Sequence, residues 1–513
     1  MSNTRTANSV KNIFASFANQ IIMLLLGFIS RSVFIRFLSV DYLGIQGLFS
    51  DILTMLSLAD LGFGTAMTFS MYKPLAEKDY KKLAGLTTFY KKVYRVIALA
   101  ITVIGLALVP FLKYLVKLDT ELPHLTIYYL LYLANTIASY LVVYKTCILN
   151  ADQKGYVITK YTSIFSVLQS VTMIIFLVLT RNYIVYLCVQ VAFTYFRNFY
   201  ISYVAEKMYP FIKEKVVLDK SETNGIFKNI GSVFLYKISS VLINATDNTL
   251  ISVIVGTATV GYLSNYNMII TKITSFVNTL FYSLTASLGN LIVKEKEEKR
   301  YEIFLIMQSL SVFLSSFCII CVYFLMQDLI KVWLGEAYQL DKLVLIALVV
   351  NFYFSISLLP IWVFREATGL YQKTKFVMLF TAGINIILSI ILGKWIGLAG
   401  ILFATSIARI LTYFWYEPRL LFRTYFGKSC IVYFLGVAKS LVVTALIFAV
   451  IYVISGFIVV DSWLALILKA MVVGAVTLVL LILIYYKSEG TKLLLNKVKG
   501  FLKKSCPAAM IFT

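Results

Sequence analysis

Residues 463–486 read WLALILKAMVVGAVTLVLLILIYY, with one lysine in an otherwise uncharged apolar run. As a helix rising 1.5 Å per residue the run is about 36 Å long, enough to cross a hydrocarbon core of about 30 Å. The rest of the chain has the same character. Of 513 residues, 60% are hydrophobic and 14% charged, and the mean hydropathy is +0.86. A soluble protein of this length cannot hide so much apolar surface, so lipid is the solvent. About fourteen such runs can be marked, the first at 13–38 and the last at 463–486, which predicts an all-α integral membrane protein. The first run is too long for a signal-peptide core and no small-residue cleavage site follows it, so Met1 is expected to remain on the chain.

Lys and Arg number 47 against 24 Asp and Glu, a net charge of +23. With the N-terminus in the cytoplasm, 34 of the 47 cations fall on cytoplasmic segments and helix ends. Five fall outside (Lys113, Lys117, Arg181, Lys331 and Lys394) and eight within spans. The excess therefore follows the positive-inside rule and argues against nucleic-acid binding. It predicts a multi-pass membrane protein with both termini cytoplasmic.

Five of the six cysteines lie within or beside apolar runs, which gives no disulfide framework. Cys318 and Cys321 lack the further ligands of a metal site, and His124, the one histidine, sits in a loop beside Pro123, where a solvated side chain is expected. No connection is long enough to house a catalytic domain. Gly427-Lys428-Ser429 does not complete a phosphate-binding loop, because Phe422 stands where that motif requires glycine. A transporter is expected rather than an enzyme, without cofactor, its coupling to a proton or sodium gradient open.

An internal repeat is visible at an offset of 217, which relates Leu43-Gly44 to Val260-Gly261; Gln153-Lys154 and Gln372-Lys373 match at 219. Each pair links span n to span n + 6. The expected organisation is a six-helix bundle over 1–206, a cytoplasmic linker over 207–228, a second six-helix bundle over 229–416, two additional spans over 417–486 and a basic cytoplasmic tail over 487–513. Six is even, so the copies keep one orientation and are related by a pseudo-two-fold axis along the membrane normal.

Charges inside spans are costly and point to partners or to a water-filled cavity. Arg31 shares a face of the first span with Gln20 and Gly27. The second span carries a polar stripe through Ser50, Thr54, Ser57 and Asp60, with Asp51 off its centre line. The seventh has Lys237, Ser240, Asn244 and Asp247; the eighth has Ser264, Asn267 and Thr271 beside Lys272. The cations, Arg409 included, outnumber the carboxylates, so a cleft holding them would favour an anion such as pyrophosphate. Arg31, Lys237, Lys272 and Arg409 are the candidate substrate-binding residues, with Asp60 and Asp247 as counter-charges or ion-coupling groups.

Several short motifs in order resemble the polysaccharide biosynthesis family of oligosaccharide flippases, in the superfamily that contains multidrug and toxin extrusion transporters. They are Asp41-Tyr42-Leu43-Gly44, Ala59-Asp60-Leu61-Gly62-Phe63-Gly64, Asn150-Ala151-Asp152-Gln153-Lys154, Val260-Gly261-Tyr262 with Asn265, and Val332-Trp333-Leu334-Gly335 in the loop after the ninth span. The resemblance covers most of the chain. It implies two helical bundles that alternate between inward-open and outward-open forms. The implied cargo is a polyprenyl (undecaprenyl)-pyrophosphate-linked oligosaccharide, moved to the external leaflet for O-antigen, capsule or exopolysaccharide. Membrane lipids and polysaccharide polymerase or assembly proteins are the expected partners, and a monomer suffices. Two alternatives stay open: an ion-coupled exporter of organic cations, and a membrane glycan-assembly enzyme or scaffold.

Overall fold

The computed structural model describes residues 2–57, 63–118, 122–218, 238–282 except 240 and 244, 288, 292 and 295–496. The described elements are helices: α1 (Ser2–Phe37), α2 (Val40–Leu56), α3 (Phe63–Glu77), α4 (Tyr80–Ala107), α5 (Leu112–Leu115), α6 (Leu125–Tyr140), α7 (Val143–Ala151), α8 (Gly155–Thr180), α9 (Tyr183–Met208), α10 (Asp247–Ile254), α11 (Thr257–Tyr282), α12 (Glu297–Leu334), α13 (Lys342–Ser357), α14 (Leu359–Thr368), α15 (Tyr371–Leu411), α16 (Tyr413–Leu421), α17 (Ile431–Gly456) and α18 (Trp463–Tyr485). Among the described residues eight helical stretches are long and apolar enough to cross a membrane, and two bent pairs bring the number to ten. The all-α membrane architecture is thus as expected, with fourteen as an approximate count.

The bent pairs carry the repeat. α6 and α7 meet at 48°, α13 and α14 at 41°. Their starts, Leu125 and Lys342, are 217 residues apart, as are their ends, Ala151 and Thr368. Pro360 in the first turn of α14 explains the second bend, since proline is tolerated there but cannot continue the preceding hydrogen bonds. The first bend has no proline.

The chain divides into two compact units, residues 1–264 and 265–513. In the first, a core rich in aromatic side chains runs through Phe34, Phe49, Tyr90, Tyr94, Tyr129 and Tyr183. Residues 247–264 belong to this unit because α10 and the start of α11 are pinned to it. Thr257 donates its backbone N–H to Lys117 O at 2.8 Å and accepts from Lys117 N at 2.9 Å, and Ser252 bonds Leu115 O at 2.7 Å.

Gly44 and Gly261 are needed at the same place. A Cβ on Gly44 would lie 2.1 Å from Thr257 O, and one on Gly261 would lie 2.3 Å from Val40 O. Val40 and Thr257 are themselves 217 apart, so the contact is reciprocal, residue for residue. That is the signature of a local two-fold axis where α2 and α11 cross.

In the second unit α17 and α18 pack on α12 through Ile320, Phe324, Val443, Ile447, Ile451, Val473 and Leu481. α12 corrects one expectation. Val332-Trp333-Leu334 forms its last turn rather than a loop, and Gly335, at φ +99°, ends it. α15 is two helices joined at Ile396 and Gly397, where Gly397 takes φ +62°.

Candidate functional site

The in-span charges divide by whether the protein neutralises them. Arg365 on α14 and Glu417 on α16 are both buried and form an ion pair at 2.6 Å. Lys469 on α18 reaches Asp328 on α12, also at 2.6 Å. Neither pair was legible in the sequence. Arg365 and Glu417 each sit at the edge of an apolar run, and Asp328 falls just past the end of another. Their partners are 52 and 141 residues away.

Arg31 is different. It lies half-buried on α1 of the first unit, where its Nη1 donates to Ser264 Oγ at 2.9 Å. Ser264 in turn donates to Gly261 O at 2.7 Å, so it meets the guanidinium with its oxygen alone. The tyrosines Tyr132 and Tyr186 are the other groups in its electrostatic reach. Tyr132 shares a hydrogen bond of 2.9 Å with Tyr183, and Phe34 stacks edge-on against Tyr183 and Tyr186. A guanidinium has five N–H donors and needs anionic acceptors to leave water without loss. Among the described residues no carboxylate lies within ion-pair distance of Arg31.

Of the other candidates, Lys272 and Arg409 belong to the second unit. Lys272 is half-buried and has no ion pair among the described residues. Arg409 is buried near the end of α15, with Nε and Nη1 donating no hydrogen bond. Around Tyr413 it joins the Arg365–Glu417 pair, two guanidiniums to one carboxylate. Asp247 is half-buried in the first turn of α10. Arg31 and Asp247 belong to the first unit, Lys272 and Arg409 to the second. Lys237 and Asp60 lie outside the described residues.

Asp51 is a residue the sequence reading set aside. Its carboxylate accepts hydrogen bonds from both the side chain and the backbone N–H of Asn248, the second residue of α10. A carboxylate at a helix N-terminus meets the positive end of the helix dipole, which accounts for an acid at this depth. The available signal was spacing: Asp51 lies seven residues after Gly44, on the face of α2 that meets α10 and the start of α11.

The Asn150-to-Lys154 motif has a structural use. Gln153 takes a left-handed φ of +58°, and the turn closes with Lys154 N bonded to Leu149 O at 2.7 Å. Tyr209 donates to Asp152 at 2.5 Å, and Lys154 reaches Asp152 at 2.7 Å. Burial tends to raise the Asp152 carboxyl, but the hydrogen bonds from Lys154 and Tyr209 outweigh it and hold the group below its ordinary range. Burial, followed by the bond to Asp152, pushes the Tyr209 hydroxyl up to about 12.

Residues 9–285, more than half of the chain, match the family described as polysaccharide biosynthesis protein. The chain belongs to that family. Its fold is shared with solved transporters of low sequence identity. The lipid II flippase MurJ, in an inward closed conformation, matches with a TM-score of 0.68 and 18% identity, over 92% of this chain and 98% of that one. The MATE transporter VcmN of Vibrio cholerae matches with a TM-score of 0.55 and 14% identity, over 83% and 100%. A MOP superfamily transporter from Pyrococcus furiosus, described by a binding pocket of reverse polarity, gives 0.54 and 13%, over 81% and 95%. No curated protein sequence matches the chain. This polysaccharide biosynthesis family member therefore has the fold of membrane transporters and flippases.

Proposed function

We propose that this chain is a flippase of the bacterial cytoplasmic membrane, carrying polyprenyl-pyrophosphate-linked oligosaccharide from the cytoplasmic to the external leaflet by alternating access. The observation that carries the reading is Arg31: a half-buried guanidinium in a span, held by one serine hydroxyl and opposed by no carboxylate among the described residues. Such a group is stabilised when an anion arrives, and a pyrophosphate oxygen pair matches its fork. Sugars and pyrophosphate cannot cross hydrocarbon unaided, whereas the prenyl tail can stay in lipid. Lys237, Lys272 and Arg409 supply further positive charge, and Asp60 and Asp247 serve as counter-charges or as the groups that couple transport to a proton or sodium gradient. The orientation follows the basic bias, with both termini cytoplasmic. The cargo serves a surface polysaccharide.

The test is the leaflet distribution of lipid-linked oligosaccharide in the native host after deletion of the gene and return of variants. Wild type restores delivery to the outer leaflet. Arg31→Glu leaves the cargo inside at unchanged protein abundance, and Arg31→Lys gives partial activity, because a point charge replaces a bidentate one. Normal delivery by Arg31→Glu would sink the reading. An exporter of organic cations would instead depend on its carboxylates and tolerate Arg31→Gln.

A further inference from the structure

We propose that a cavity in the second unit binds the headgroup of an anionic phospholipid resident in the bilayer. The cavity, about 490 Å³, lies where α12, α17 and the turn after α18 meet. Phe304 and Val312 from α12 and Phe422 from the segment after α16 give it apolar walls. Two polar atoms among its lining residues, Gln308 Oε1 and the Tyr485 hydroxyl, are buried without a hydrogen-bond partner. Leaving such atoms unsatisfied is costly, so they mark where a polar ligand group would be stabilised.

Charge names the ligand class. Lys439 and Lys487 also line the cavity, against Glu489 as its one carboxylate. Lys439 stands eight residues into α17, about 12 Å along the helix, exposed and with no ion pair among the described residues. Lys469 on the neighbouring helix shows the contrast, since Asp328 neutralises it. A phosphodiester would accept from the two ammonium groups and the Tyr485 hydroxyl, while a headgroup hydroxyl would donate to Gln308 Oε1. The acyl chains would then run along the exposed Leu435, Ile482 and Leu483. Basic pockets between membrane helices recognise anionic headgroups by this combination of charge and apolar wall.

The experiment is native mass spectrometry of the full-length protein released from nanodiscs of equal phosphatidylglycerol and phosphatidylcholine. The protein is expected to retain phosphatidylglycerol over phosphatidylcholine. Lys439→Gln should lower that retention about tenfold, the loss of one charge-assisted contact, while Lys439→Arg keeps it. Gly436 has open space beside it, so Gly436→Leu should fill the cavity and give the same loss with both lysines intact. Lys487→Gln, on the exposed turn, repeats the measurement if Lys439→Gln folds poorly. Equal retention of the two lipids, or Lys439→Gln and Gly436→Leu both behaving as wild type, would overturn the proposal. So would retention of added undecaprenyl pyrophosphate in place of phosphatidylglycerol, which would assign the cavity to lipid-linked cargo.

Discussion

Arg365 and Glu417 are 5% and 3% exposed and joined at 2.6 Å, so removing either one leaves the other charged and buried. Arg365→Ala should destabilise the purified protein by about 3–5 kcal/mol, and the double substitution Arg365→Met with Glu417→Leu by much less. Thermal unfolding of the two variants in one detergent checks this; equal losses would mean that the pair is not what holds α14 to α16. The Asp152 staple behaves differently because its side chains are 35% and 38% exposed. The Asp152 carboxyl is held below its ordinary range, so its contribution is present above the unfolded value of about 4 and is lost as pH falls through the folded value. Lys154 is raised, first by its bond to Asp152, so its share is complete at neutral pH and is lost only in strong alkali. Asp152→Asn should therefore cost under about 1 kcal/mol near pH 7 and progressively less as pH falls below about 4, read as a difference in melting temperature that narrows on acidification. At this scale the sequence exposed charges inside apolar runs and hid those at their edges. Arg31 and Lys469 lie within such runs and announce themselves, whereas Arg365, Glu417 and Asp328 sit at run edges, where a charge raises no question until its partner is seen.

At the level of helices, the crossing of α2 and α11 depends on the absence of two side chains. With a Cβ on Gly44 placed 2.1 Å from a backbone oxygen, neither a rotamer change nor a neighbouring side chain can give way. Gly44→Val must push the helices apart, with a loss of about 1–3 kcal/mol typical of overpacking, and Gly261→Val should do the same by symmetry. If closing this crossing is part of the transport cycle, both variants also lose delivery of cargo to the outer leaflet. Thermal unfolding beside the leaflet assay separates the two effects, and a Gly44→Val protein of wild-type stability would refute the contact. The glycines were legible as repeat partners from their offset alone, but their contact was not, because spacing along a chain does not say which helices touch. The bend between α6 and α7 was hidden for a related reason: residues 141 and 142 are leucine and valine, and nothing local marks the break. α12 runs past its expected end because Lys469 neutralises Asp328, so a charge that reads as a terminus lies inside the helix.

Over the whole chain the repeat and the charge bias make one joint prediction. The bent pairs recur at the offset that relates Gly44 to Gly261, and the sequence reading puts six spans between corresponding positions. An even number returns the chain to the same side of the membrane. Glu77 and Glu295, both exposed and near that offset, should therefore face one compartment, which the excess of Lys and Arg beside them predicts to be the cytoplasm. Ser39, between α1 and α2, and Ser462, before α18, should face the other. In a background without native cysteines, Ser39→Cys and Ser462→Cys should react with a membrane-impermeant maleimide in intact cells. Glu77→Cys, Glu295→Cys and Ser429→Cys should react only after permeabilisation. The inverse pattern would keep the repeat and reverse the orientation, and with it the direction proposed for the cargo. Labelling of Glu77→Cys and Glu295→Cys from opposite sides would be more damaging, because it would break the even count on which the two-fold relation rests.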